Sequence, residues 1–343
     1  MGIGKGKRGK GIRACFINLF TLSVIGLSFF KKRRRAGNPV PIFDRDVVST
    51  AKFMKKQLKS HVVHMVLLLL IAGGQLHADT TWQRVQKKGV LTICADPDNL
   101  PYSSSDPKLP GIDIEAAQLL AEALGVTLKF HWIDTLVENP LVDLSLRKHC
   151  DCALGIAIEE RAMEEEIEVG KRVDYSTPYA GTGYILVAQA EQQPTTIKKL
   201  EGIKTQAIGA EAGSVAGDVL KRKGYNRRLY PSQVAVLSAL QQGQIAYGVL
   251  WANAGWLIEK GPPNAKGNAG SVDRAYPNLK LVDGYVPEPG FRWNVAVAVR
   301  KGDEDFKNAI NAVIQEKLTG EQMKKICEKY QVPYYLPFNQ TEE

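Results

Sequence analysis

The feature that most constrains this chain is a short apolar run, Val90-Leu91-Thr92-Ile93, that empties into CADPDNLPYS at residues 94–103. About ten residues later Gly111-Ile112-Asp113-Ile114-Glu115 opens a helical pattern. Strand, loop, helix is the repeating unit of parallel α/β sheets, and in open sheets of that kind ligands settle at the carboxyl ends of the strands. Here the loop offers Asp96, Asn99, two prolines and the ring of Tyr102. No nucleophile, base and orienting group accompany them, so the loop reads as a holder rather than a reaction centre.

The same plan recurs along the chain. Helix 113–124 places Ile114, Ala117, Ala121 and Leu124 on one face and stops at Gly125. Strand 126–130, a helix near 137–148 and strand 152–156 complete a first half. Strand 204–209, helix 214–223, helix 232–242 and strand 245–251 form a second. Two apolar strands, 184–188 and 293–299, stand between and after the halves, and two amphipathic helices end the chain. A chain that crosses at the first and returns at the second builds two α/β lobes on two hinge strands, with a cleft that a hinge motion closes. The expected boundaries are 79–185 plus 298–343 for lobe one and 186–297 for lobe two. The stretch from Gly261 to Asn278, rich in Gly, Pro and Asn, reads as a surface loop.

Charge belongs to the leader. The 343 residues carry a formal charge of +9, but residues 1–78 hold 15 Lys+Arg against 2 Asp+Glu. The remainder has 30 basic and 34 acidic residues, so no basic surface for nucleic acid is expected. From Met54 a basic start, an apolar run Val62–Ala72 and the small-residue ending Leu76-His77-Ala78 make a secretory signal, with cleavage expected between Ala78 and Asp79. The run falls short of the ~20 residues that span a bilayer. Upstream, Ala14–Phe30 followed by Lys31-Lys32-Arg33-Arg34-Arg35 reads either as a membrane anchor with a positive flank or as sequence ahead of a true start at Met54. The second is favoured, and a periplasmic location is expected.

Beyond the leader there are four cysteines, Cys94, Cys150, Cys152 and Cys327. Export places them in an oxidising compartment. Cys150 and Cys152 sit ~6–7 Å apart along one strand face and make poor partners for each other. Cys94 with one of that pair is expected. No CxxC or HxxxH spacing appears, so neither a metal nor a cofactor is expected.

CADPDNLPYS (94–103), CDCALGIAI (150–158), STPYAGTGYILV (176–187) and GVLWANAGWLIEK (248–260) together resemble the family 3 extracellular solute-binding proteins, of the type II periplasmic-binding fold. Within that family the chain looks most like the quinoprotein (methanol) dehydrogenase-associated substrate-binding proteins of the MxaJ/XoxJ type. That resemblance implies a non-enzymatic accessory of a pyrroloquinoline-quinone (PQQ) alcohol dehydrogenase or of its cytochrome c, acting by docking or in maturation. The alternative is the binding component of an ABC importer, with a permease as partner and a small solute other than a standard amino acid as ligand. Amino-acid binders of this fold follow the third strand with Thr and, five residues on, an Arg that forks the ligand carboxylate, and they place an Asp in lobe two for the ammonium. Here Ala157, Ala162 and Trp251 stand in those places, with Arg161 one residue early and Asn253 nearby. Each lost charge-assisted hydrogen bond removes ~1.5–3 kcal/mol from the ~8 kcal/mol of micromolar binding.

The expected cleft residues are Asp96, Asn99, Tyr102, Ile158, Tyr179, Ser214, Trp251, Asn253 and Trp293. Asp96 and Asn99 serve equally well as turn caps, and Ser214 as an ordinary N-cap. Trp256, on a helix, is expected in the core. The acidic run around Arg161 (Glu159, Glu160, Glu164, Glu165, Glu166) reads as a solvated helix face.

Overall fold

The computed structural model describes residues 79–343 apart from 159–171, 193–195, 263–273, 319 and 340–343. The leader, the signal ending at Ala78, the Arg161–Ala162 register and the acidic run all lie outside the described residues.

Helix α1 (Thr81–Lys88) starts on a capping box: Thr80 accepts from Gln83 N, and the Gln83 side chain reaches back to the Thr80 N–H. It leads into β1 (Val90–Ala95), a miniature hairpin of β2 (Asp98–Asn99) and β3 (Ser103–Ser104), helix α2 (Ile112–Ala123) and β4 (Thr127–Trp132). β1 lies between β4 and β5 (Cys152–Ile158), parallel to both. The apolar face of α2, from Ile114 through Ala117 to Ala121, is buried as its periodicity requires.

The helix expected near 137–148 does not form. Asn139 caps a short turn, Pro140–Val142, that runs on into a π-helical turn, Asp143–Arg147. Lys148 then ends it in the left-handed region (φ 58°). Among the aliphatic side chains described in this segment, Leu144 alone is fully buried, too small an anchor for three regular turns.

Between the halves run β6 (Val173–Tyr175) and the long β7 (Ala180–Gln189). The second half holds β8 (Ile208–Glu211), α3 (Val215–Arg222), β9 (Arg227–Tyr230), α4 (Gln233–Gln241), β10 (Tyr247–Trp251), α5 (Ala254–Lys260) and β11 (Leu279–Leu281). The strand expected over 204–209 begins later, because Leu200–Ile203 is a 3-10 turn that carries the chain to Gln206. β9, an edge strand with little burial, carries no alternation to reveal it. β12 (Arg292–Arg300), α6 (Glu304–Lys317) and α7 (Glu321–Lys329) close the chain.

Pairing order across the sheet is β4-β1-β5-β12-β7-β10-β8-β9, with β6 on β12 and β11 on β7. β7 changes partner midway: Ala180–Gly183 pair antiparallel with β12, and Tyr184–Ala188 with β10. β12 likewise pairs with β7 at Arg292–Val295 and with β5 from Asn294 to Val299. These two strands join the halves of a two-lobed α/β fold around a central cleft. One large core gathers α2, α4, α5, α6 and α7, and a second lies under β8, α3 and Tyr225. Trp256 is buried, its ring 6.0 Å from that of Tyr330. A side chain at Gly255 would collide with the Gln331 carbonyl, so only glycine lets α5 and the terminal segment approach this closely.

Candidate functional site

A cleft of about 210 Å³ opens at the carboxyl ends of β1 and β5. Asp96, Asn99, Ser103, Asp113 and Thr135 give it polar character, and Leu154, Gly155 and Ile156 form its floor. No Lys, Arg or His stands among its described lining residues.

Asp113 is its most distinctive group. It sits in the first turn of α2, and the side chain leans back toward the strand ends, as helical side chains do. Gly155, with φ 71°, leaves the space that the carboxylate fills. Burial alone pushes the Asp113 carboxyl up from its ordinary 3.8 to about 7, with no compensating hydrogen bond from a described residue. Two phenols stand close enough to feel its charge, Tyr102 and Tyr179.

Those two tyrosines do different work. Tyr179 is buried, and its hydroxyl accepts the Gly155 N–H at 2.9 Å, so it supports the floor from behind. The Tyr102 hydroxyl is buried against the Trp251 indole from the opposite lobe, yet no partner of ordinary hydrogen-bond geometry reaches it. Burial raises both phenols well above their usual pKa.

Asp96 lines the cleft but is already engaged. One carboxylate oxygen accepts Asp98 N at 2.9 Å, and the other accepts Thr135 N at 2.8 Å and the Thr135 hydroxyl. Its capping role is therefore fulfilled, and it ties β1 to the loop after β4. Asn99 is exposed at the mouth, and its carbonyl accepts the Tyr102 N–H at 2.8 Å. Ile158, half-buried at the end of β5, pairs with Asn294.

Three rings meet on β7, β10 and β12, outside the lining of that cleft. Tyr184 lies 5.2 Å from Trp251 and 5.8 Å from Trp293, and the two indoles are 5.5 Å apart. All three are half-buried. Ser214 caps α3, accepting Gly217 N at 3.1 Å and donating to the Glu211 carbonyl at 2.7 Å. The Tyr184 hydroxyl sits over this helix end, against Ser214 and the N–H groups of Val215 and Ala216. The chain's own phenol thus occupies a helix N-terminus whose N–H groups could otherwise receive an anion. Asn253 precedes α5, and its Oδ1 is buried without a partner.

Of the cysteines, Cys94 and Cys150 are joined, with Cα atoms 5.4 Å apart. Cys152 and Cys327 are free and buried, and burial pushes the Cys327 thiol up to about 12. Sequence reasoning missed Asp113, Gly155, Thr135 and Tyr184. An acid in the first turn of a helix that follows a strand-end loop was the available signal for Asp113.

Residues 91–333 match the profile of the bacterial extracellular solute-binding proteins, family 3. The L-cystine-binding protein TcyJ of Escherichia coli (strain K12) is 24% identical over 278 residues, 78% of this chain and 92% of that protein. The unliganded, open L-cystine solute receptor of Neisseria gonorrhoeae superposes with a TM-score of 0.59 at 19% identity, covering 76% of this chain and all of the receptor. An ancestral cyclohexadienyl dehydratase gives 0.52 at 22% identity over 74% and 97% of the two chains, so the scaffold also hosts an enzyme. At these identities the two solved structures establish the fold alone. Among the described residues no helix is long and apolar enough to cross a membrane. This chain belongs to the bacterial extracellular solute-binding proteins, family 3.

Proposed function

We propose that this protein is a non-enzymatic, exported solute receptor that delivers its ligand to an ABC permease. Its ligand is a small solute presenting a cation or hydroxyl donors to Asp113 rather than a free α-amino acid. Residues 79–185 with 298–343 make one jaw in this reading, and 186–297 the other. The observation that carries it is the Asp113 carboxylate, which lines the cleft with no hydrogen-bond donor among the described residues and stands close enough to Tyr102 for its charge to raise that phenol. Buried polar groups without partners cost ~1–3 kcal/mol each, and a ligand that satisfies them recovers that cost. A ligand carboxylate finds no cation among the described lining residues, and the end of α3 is covered by Tyr184.

Thermal-shift screening against small amines, polyamines, polyols and the standard amino acids tests this reading. A ligand at 100 times its dissociation constant stabilises by ~2.7 kcal/mol. A shift with an amine or polyol that Asp113→Asn abolishes supports it. A shift with free amino acids alone overturns it.

A second reading keeps the dehydrogenase accessory. The motif strings quoted above support it, as does the aromatic cluster in which Trp251 packs against both Tyr102 and Tyr184. Association then resides at the mouth, on Asn99, Tyr102 and their neighbours. A pull-down with the cognate quinoprotein dehydrogenase or its cytochrome c, weakened about thirtyfold by Tyr102→Ala, is the expected result for a central aromatic anchor. No association with either protein removes it.

A further inference from the structure

Outside the cleft, the only two histidines of residues 79–343 converge on one carboxylate. His149 Nδ1 lies 2.8 Å from Asp143 Oδ1, and His131 Nε2 lies 3.7 Å from the same oxygen. The three donor atoms fall within 4.8 Å of one another, and the imidazoles meet at 4.7 Å in an edge arrangement. From these positions we infer a divalent transition-metal site formed by His131, Asp143 and His149.

The donor chemistry selects the ion. Two imidazoles and one carboxylate suit Zn²⁺, Cu²⁺ or Ni²⁺, whereas Ca²⁺ and Mg²⁺ call for oxygen cages. Metal–ligand bonds of about 2.0–2.2 Å place tetrahedral donors ~3.3 Å apart, so small side-chain rotations close the site. The imidazoles are 33% and 50% exposed while Asp143 is 1% exposed. An ion thus enters from solvent onto an anion that is held below the surface, and keeps open positions for water.

The frame is rigid where it matters. His131 is the cross-strand partner of Cys94, and His149 precedes Cys150, so the Cys94–Cys150 disulfide fastens the two segments that carry the histidines. The Asp143 carbonyl accepts the Lys148 N–H, closing the π-helical turn, a form that recurs at functional sites, and it also accepts the His149 N–H at 3.0 Å. A small core of Ile133, Leu144, Ala153, Val173 and Ala298 packs with the disulfide. Linear spacing hid the site, because 17 residues lie between the histidines and the fold brings them together.

One group opposes the ion. Arg147 Nη1 stands 3.3 Å from both Asp143 oxygens and supplies positive charge of its own. It is half exposed and also lies 3.6 Å from Glu138 Oε1, which receives it when a metal displaces it. This competition separates a metal site from an ion-pair network. If the cluster is only structural, removing Arg147 loosens it. If it holds metal, removing Arg147 strengthens binding.

The test uses the full chain without a polyhistidine tag, titrated calorimetrically with Zn²⁺ and Cu²⁺. His61, His64 and His77 are present in every variant, so differences report the site. One ion per chain should weaken at least tenfold in His131→Gln and tighten severalfold in Arg147→Gln, with circular dichroism confirming the fold. Pulsed EPR of the Cu²⁺ form should show two coordinated imidazoles that fall to one in His131→Gln. Equal affinity of wild type and His131→Gln, or weaker binding in Arg147→Gln, overturns the inference. So does a wild-type EPR spectrum that His131→Gln leaves unchanged.

Discussion

Gly155 and the Asp113 carboxylate share one space: a Cβ on Gly155 would overlap the carboxyl carbon and both oxygens of Asp113. Gly155 also holds φ at 71°, where an L side chain is strained. The residue that forms the floor of the cleft and the residue that charges it are therefore coupled through volume.

Gly155→Ala should lower stability by about 2–4 kcal/mol, combining backbone strain with overpacking. Denaturant midpoints measure it. The Asp113→Ala/Gly155→Ala pair should lose less than the sum of the single changes, because the first vacates the space the second needs. Strict additivity would show that the two residues do not share volume.

The raised Asp113 carboxyl sets a pH dependence. Below about pH 4 it is neutral in both folded and unfolded chains and costs nothing. From there to about pH 7 the unfolded chain ionises while the folded one resists, so stability falls as pH rises and levels off above 7. At ~1.4 kcal/mol per pKa unit the loss is at most about 4 kcal/mol, and less where solvent reaches the carboxylate. Asp113→Asn should flatten that slope. A cationic ligand reverses the trend, binding more tightly as Asp113 ionises. Urea melts between pH 4 and 8, with and without an amine ligand, check both signs.

Reduction of Cys94–Cys150 releases a loop with a sequence separation of 56 residues. The chain-entropy relation for such a loop gives about 4 kcal/mol, an upper figure because the reduced chain retains structure. Cys94→Ser with Cys150→Ser should lower the melting temperature by several degrees. It should leave the buried thiols of Cys152 and Cys327 inert toward alkylation until unfolding.

The two-lobed fold was legible because its strands are apolar runs with little alternation and its helices repeat every three to four residues. Val90–Ala95, Ile112–Ala123 and Arg292–Arg300 follow that pattern to within a residue or two. β9 escaped because none of its residues is buried, and the π-helical turn because the short turn that Pro140 opens leads into it without a continuous apolar face. The candidate cleft was legible where chemistry and loop coincide, at Asp96 and Asn99, which line it, whereas Tyr102 lies outside its lining. It was not legible where tertiary packing decides: nothing in the string AGTGYILV shows that the Tyr184 hydroxyl reaches α3. The sequence likewise left Cys94 free to join Cys150 or Cys152. Cys150 precedes β5 and reaches Cys94, while Cys152 belongs to β5 and points into the main core.

Tyr184 carries the sharpest specificity prediction. Its hydroxyl lies against the Val215 and Ala216 N–H groups and the Ser214 side chain, donors that suit a ligand carboxylate at a helix N-terminus. If Asp113 receives an ammonium, a free α3 N-terminus would supply the anion subsite that an amino acid also needs. Tyr184→Phe removes the hydroxyl and leaves those donors unpaired, at about 1–2 kcal/mol of stability. It should also confer weak binding of amino acids that wild type does not bind. Calorimetry with arginine, glutamate and cystine on both proteins decides it. Micromolar binding by wild type, or none by a folded Tyr184→Phe protein, would show that the phenol is not what excludes the carboxylate.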